Sequence, residues 1–273
     1  MKNKALLVGI NKYPDPRNEL RGCVNDILDM EHFISATNKV YPHENIKKLI
    51  DKQATKKEMV AQIKWLLEGA EAGDSLLFHY SGHGAQVPTH YNNIEKDGLD
   101  EIICPYDYDG SAATTLRDKE FAQLFAGIPK GVHFVWISDS CHAEDLSRDV
   151  NTDEETIYRQ FQGVPPIIEG IAPINYDKLT EEEGGSFGPM AITKPLNGAL
   201  LSACASHELS ADAFINNRYN GAFTHYLIKN LLQYSDSKTM QAIIKLVNMD
   251  LDKNGYDQNP EIEGLLENKT FFI

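Results

Sequence analysis

The chain has 273 residues, 42% of them hydrophobic and 24% charged, with a formal net charge of −14. That is an ordinary globular composition, long enough for one large α/β unit and too apolar for global disorder. The acidic balance argues against nucleic acid or an anionic membrane as the main partner, because both demand basic patches.

Lys4–Ile10 reads as a buried strand closed by Gly9 and the turn-rich Asn11-Lys12-Tyr13-Pro14-Asp15-Pro16. Leu20–Ile34 carries Leu20, Val24, Ile27, Leu28 and Ile34 at helical spacing. Ile46–Ile50 is a short strand, and Thr55 with Glu58 opens a helix that runs to about Glu71. Gly73-Asp74 then breaks the chain before the run Ser75–Gly84, an apolar strand that ends on His83 between two glycines. Glu101–Cys104 is expected as a short strand and Leu116–Ile128 as a helix, and Gly131 resets the chain for Phe134–Ser138, which delivers Cys141. From His142 to Pro195 acidic clusters, prolines and glycines dominate with no sustained period, a length of structureless chain that is usually functional. Regular structure returns with a strand at Gly198–Cys204, helices near Ala222–Leu232 and Thr239–Leu251, and a last strand at Lys269–Ile273.

This alternation predicts a mainly parallel sheet with helices on both faces, whose chemistry sits beyond the carboxyl ends of the strands. Cys141 and His83 both fall there. Cys23, Cys104, Cys141 and Cys204 are far apart with no C-x-x-C pair, Met1–Lys4 leads straight into a strand, and no apolar run approaches the roughly 18 residues of a membrane span. The expectation is therefore a cytoplasmic protein with free thiols. A cysteine is mostly protonated at neutral pH and needs a base, usually histidine, to act as a nucleophile. Gly84 adds a backbone N–H that, with that of Cys141, suits an oxyanion. Alone, a buried Cys is more often structural and a His between glycines a turn residue; equivalent strand tips bring them together. A zinc site on His79 and His83, a phosphate loop and a serine-hydrolase elbow all lack their sequence context.

Tyr80-Ser81-Gly82-His83-Gly84 and Asp139-Ser140-Cys141-His142 resemble the two catalytic motifs of the metacaspases and bacterial orthocaspases, caspase-like cysteine peptidases. Val8–Tyr13, Leu20–Asp26, Asp97–Glu101, Ser202–Cys204, Ser210–Asp212 and Gly221–Thr224 are also similar to family segments. The resemblance implies a caspase-like three-layer α/β sandwich forming a single catalytic domain over residues 1–273. Within it, 1–141 corresponds to the large-subunit portion, 142–195 to an activation or interdomain loop, and 196–273 to the small-subunit portion. It further implies Cys141 as nucleophile, His83 as general base and leaving-group acid, and a specificity pocket of Cys23, Asp26, Ser81 and Asp139. No third triad member is assigned. Two carboxylates in that pocket would hold a substrate Arg bidentately or a Lys by point charge, and reject Asp.

Many members use calcium held by acidic loop residues, here matched by Asp97 and Asp118. Lys119, standing where the family often carries a second aspartate, opposes a cation that wants about 6–8 oxygen ligands. The expectation is that no cofactor is required, with Ca²⁺ the open alternative. Arg148, Arg159, Lys178 and Lys194 are self-cleavage candidates within the loop. The substrates are polypeptides with basic residues, met by a monomer, with neither nucleic acid nor membrane involved. A catalytically silent caspase-like scaffold is the competing expectation.

Overall fold

A computed structural model describes residues 2–37, 40–88, 99–141, 156–162, 196–205 and 208–272. Its centre is a six-stranded sheet built from β1 (Asn3–Gly9), β2 (Ile46–Ile50), β3 (Ser75–Ser81), β7 (His133–Asp139), β9 (Ala199–Ser202) and β12 (Glu261–Glu263). The strand order is β12-β9-β7-β3-β1-β2, parallel throughout except for the antiparallel edge strand β12. Two small antiparallel sheets flank it: β4 (Gly84–Pro88), β5 (Leu99–Ile103) and β6 (Leu116–Arg117) in one, β8 (Ile157–Tyr158), β10 (Ala211–Ile215) and β11 (Arg218–Gly221) in the other.

Side-chain alternation along the parallel strands makes two separate cores. Leu6, Val8, Leu76, Phe78, Phe134, Trp136 and Leu200 face α2 (Lys56–Leu67) and α3 (Asp118–Phe125). Ala5, Leu7, Leu77, Val135, Ile137 and Leu201 face α1 (Cys23–Glu31), α4 (Ala222–Tyr234) and α5 (Met240–Lys253). Helix–sheet–helix layering is thus the three-layer α/β sandwich expected from the sequence. In the α2–α3 layer, Trp136 packs on Phe78, Phe121 and Phe125 with centroids 4.7–5.9 Å apart. The Thr55 hydroxyl caps α2 by accepting from Glu58 N, and the helix ends at Leu67, before Gly69 at φ 64°.

Three sequence expectations need correction. Glu101–Cys104 does form a strand, but in the small β4-β5-β6 sheet rather than the central one. The helix expected at Leu116–Ile128 begins at Asp118, because Leu116 and Arg117 pair with β5. No strand forms at residues 269–272; the sheet edge is taken by β12. The aromatic run there plugs the helical layer instead, with Phe272 stacked 5.5 Å from Phe33. No helix among the described residues is long and apolar enough to cross a membrane.

The register decides where the chemistry sits. β1, β3 and β7 pair so that Gly9, Ser81 and Asp139 lie side by side at one edge. Two residues beyond those tips come His83 and Cys141.

Candidate active site

Cys141 and Gly84, the latter next to His83, converge on one group of the chain itself, the carbonyl of Arg159. That oxygen accepts from Gly84 N at 3.1 Å and from Cys141 N at 3.4 Å. Two N–H groups aimed at one carbonyl oxygen are suited to hold negative charge developing there. The Cys141 thiol is buried and accepts a 2.7 Å hydrogen bond from Ser210 N. Cys204 lies beside it, its own thiol pushed well up chiefly by a hydrogen bond with Cys141 and by burial. All four cysteines are free and buried.

His83 is held on every side. Its ring stacks at a tilt on Tyr13, 4.9 Å between centroids, and Nε2 lies 2.9 Å from the Asn18 carbonyl. A carbonyl can only accept, so Nε2 carries the proton and Nδ1 keeps the lone pair. Nδ1 has no hydrogen-bond partner. Burial pushes the imidazole down to about 4 against the hydrogen bond that Nε2 donates to the Asn18 carbonyl, so the ring is neutral at physiological pH. The orienting group that the sequence left unassigned is thus the main-chain oxygen of Asn18. A backbone atom carries no residue-type signal, which is why no motif pointed to it.

The side chain of Arg159 fills the expected pocket. Its guanidinium is wholly buried, with Nη1 2.7 Å from Ser81 Oγ and 3.0 Å from Asp139 Oδ1, and Nη2 2.7 Å from Asp26 Oδ2. A third carboxylate, Asp212, contacts Nη2 at 3.1 Å. Sequence reasoning missed Asp212, although its segment Ser210–Asp212 was among the resembling ones. Cys23 is buried at the start of α1, and burial pushes its thiol well up, so it contributes packing rather than charge.

Three buried carboxylates would be costly without donors, and each has a set. Asp212 accepts from Arg21 N and Gly22 N, Asp26 from Gly221 N and Asn220, and Asp139 from Thr224 and Ser210. Gly22 and Gly221 are required as walls: a Cβ on Gly22 would collide with Asp212, and one on Gly221 with Asp139 and Arg159. Even so, burial raises Asp26 to about 7 against the opposing pull of Arg159, so this carboxyl titrates near neutrality.

The peptide around Arg159 is bound as an extended strand. β8 pairs antiparallel with β10, Arg159 N donates to Ser210 O at 3.0 Å, and Phe161 N donates to Gly84 O at 3.2 Å. Of the other basic residues proposed in this loop, Arg148, Lys178 and Lys194 lie outside the described residues.

Asp97, one of the two expected calcium ligands, also lies outside them. The other, Asp118, is buried with the ammonium of Lys119 at 3.2 Å. Lys119 also pairs with Asp100, whose second oxygen takes Arg117 Nη1 at 2.6 Å. Two internal cations therefore neutralise the carboxylates a hard cation would need, and among the described residues no group of three acidic, His or Cys side chains could hold a metal. This part of the site does not fit calcium.

Comparison with known proteins agrees with the geometry. The caspase domain matches residues 2–272. Metacaspase-1 of Meyerozyma guilliermondii is 30% identical over 96% of this chain and 69% of its own length. Metacaspase-1 of Mycosarcoma maydis is likewise 30% identical, over 96% of this chain and 70% of its own. A crystal structure of a Geobacter sulfurreducens protein superposes with a TM-score of 0.69, covering 100% of this chain and 99% of that one at 23% identity, a likeness of fold.

Proposed function

The chain belongs to the caspase-domain family of cysteine peptidases, and we propose that it is an endopeptidase cutting polypeptides after arginine, and less readily lysine, through Cys141 and His83. The observation that carries this reading is Arg159, bound by its side chain in an acidic pocket and by its carbonyl between two N–H groups. Cys141 gives its thiol proton to His83 Nδ1, and a substrate arginine held the same way presents its carbonyl carbon to the resulting thiolate. The oxyanion then rests on Gly84 N and Cys141 N, and His83 gives a proton to the departing amine. Water, losing its proton to His83 Nδ1, releases the acyl group.

Arg159 also makes the enzyme its own first substrate. Until the Arg159–Gln160 bond is cut and the segment withdraws, nothing else can enter the pocket. Residues 1–273 then act as one catalytic domain in which the portions 1–141 and 196–273 both line the site, as Asp26, Asp139 and Asp212 do.

Lys119 supplies the positive charge that calcium would bring, so the reaction needs no divalent cation. Hydrolysis of a fluorogenic peptide ending in Arg is expected at the same rate in excess chelator as in millimolar calcium, and to vanish in Cys141→Ala. A rate that rises severalfold with calcium would overturn the cation reading. Absence of turnover by folded protein under both conditions would mark a non-catalytic scaffold. Lys119→Met leaves Asp100 and Asp118 buried without their ammonium, and urea denaturation is expected to register a loss of about 3–5 kcal/mol.

A further inference from the structure

We propose that the site also reads its substrates beyond the cut bond, selecting an aromatic side chain two positions after the arginine in a subsite built by Tyr13, Tyr108 and the ring of His83. The inference rests on reading Arg159 as a substrate arginine, which makes Phe161 the second residue on the leaving side. Phe161 stands edge-on to all three rings, with centroids 4.9 Å from Tyr108 and 5.6 Å from Tyr13 and from His83. Edge-to-face packing in this range adds to the gain from burying the ring itself. Tyr13 and Tyr108 are themselves buried, so the cleft is part of the core rather than a surface that any side chain could brush.

The main chain on this side is held as firmly as on the other. The Asn18 side chain accepts from Gln162 N at 2.7 Å and donates to Gln162 O at 3.1 Å, a two-point grip on one residue. With the Phe161 N–H on Gly84 O, the leaving strand is fixed at two successive residues. Asn18 is also the residue whose carbonyl orients His83. Filling the subsite therefore covers the imidazole and braces its support in one event, which predicts an effect on kcat as well as on KM.

The test uses the self-processed enzyme and internally quenched peptides of the form Ile-Tyr-Arg-Gln-X-Gln, with X as Phe, Tyr, Leu, Ala or Asp. Phe and Tyr are expected to exceed Ala in kcat/KM by on the order of ten-fold, with Asp lowest. In Tyr108→Ala the Phe-to-Ala ratio is expected to shrink towards one; because it is a ratio within one preparation, partial misfolding does not disturb it. Equal rates for Phe and Ala in the unaltered enzyme, or an undiminished ratio in Tyr108→Ala, overturn the inference. A coumarin peptide ending in Arg has no leaving-side residues. If it is cleaved while X makes no difference, the leaving-side inference alone falls. If neither it nor any quenched peptide is cleaved, the arginine reading falls and takes this one with it.

Discussion

Incubated at neutral pH, the purified chain is expected to convert in a first-order reaction into two pieces, the second beginning at Gln160, while Cys141→Ala stays full length. The Arg159 carbonyl already sits between Gly84 N and Cys141 N, and the guanidinium fixes the residue through four side chains. Attack within one folded chain avoids the cost of bringing two molecules together, and effective molarities for well-oriented groups reach about 10⁵–10⁸ M. The rate should therefore not depend on protein concentration. Losing the nucleophile of a catalytic pair lowers turnover by on the order of 10⁴-fold or more. Arg159→Ala removes the anchor, so this bond should survive even with Cys141 intact, and the vacated pocket should accept peptides without prior processing. Intact mass and N-terminal sequencing read the outcome. A wild type that remains uncut for as long as Cys141→Ala would refute self-processing here.

The sequence pointed to the strand tips because buried parallel strands are long apolar runs, and Ser75–Ser81 and His133–Asp139 end abruptly in small polar residues. Asp26 and Asp139 were reachable only through the resemblance of Leu20–Asp26 and Asp139–His142 to family segments, not through strand patterning. Asp212 was not, since it reaches the pocket across the fold, accepting from Arg21 N and Gly22 N, 191 and 190 residues away, as well as contacting Arg159. The β10–β11 hairpin had a readable signal that was passed over, Asn216-Asn217, both with positive φ as a tight hairpin turn requires. The final strand was misassigned because Phe271 and Phe272 have the composition of a strand but are spent on Phe33 in the helical layer. Within 142–195 the described residues, 156–162, are held by a pocket that no periodicity in the segment itself reveals.

Replacing Asp26 or Asp212 by Asn is expected to lower kcat/KM for arginine peptides by on the order of 10²–10³-fold, since truncating one partner of a buried charged pair costs about 2–5 kcal/mol. The two carboxylates share Nη2, and Asp139 with Ser81 takes Nη1. A fork reaches both pairs at once; a lysine ammonium is a single nitrogen and cannot. Arginine should therefore exceed lysine by at least about ten-fold, and Asp212→Asn should narrow that gap by harming arginine more. The pocket also sets a pH dependence whose sign is fixed. Burial raises Asp26 to about 7 even with the Arg159 guanidinium beside it pulling it down, so arginine binding favours the ionised carboxyl. By linkage, acidification that protonates Asp26 weakens arginine binding, so kcat/KM should fall as pH falls. Asp26→Asn cannot titrate there, and its profile should lose this limb while keeping any that belongs to His83. An unchanged acid limb in Asp26→Asn would mean that Asp26 does not govern recognition near neutrality.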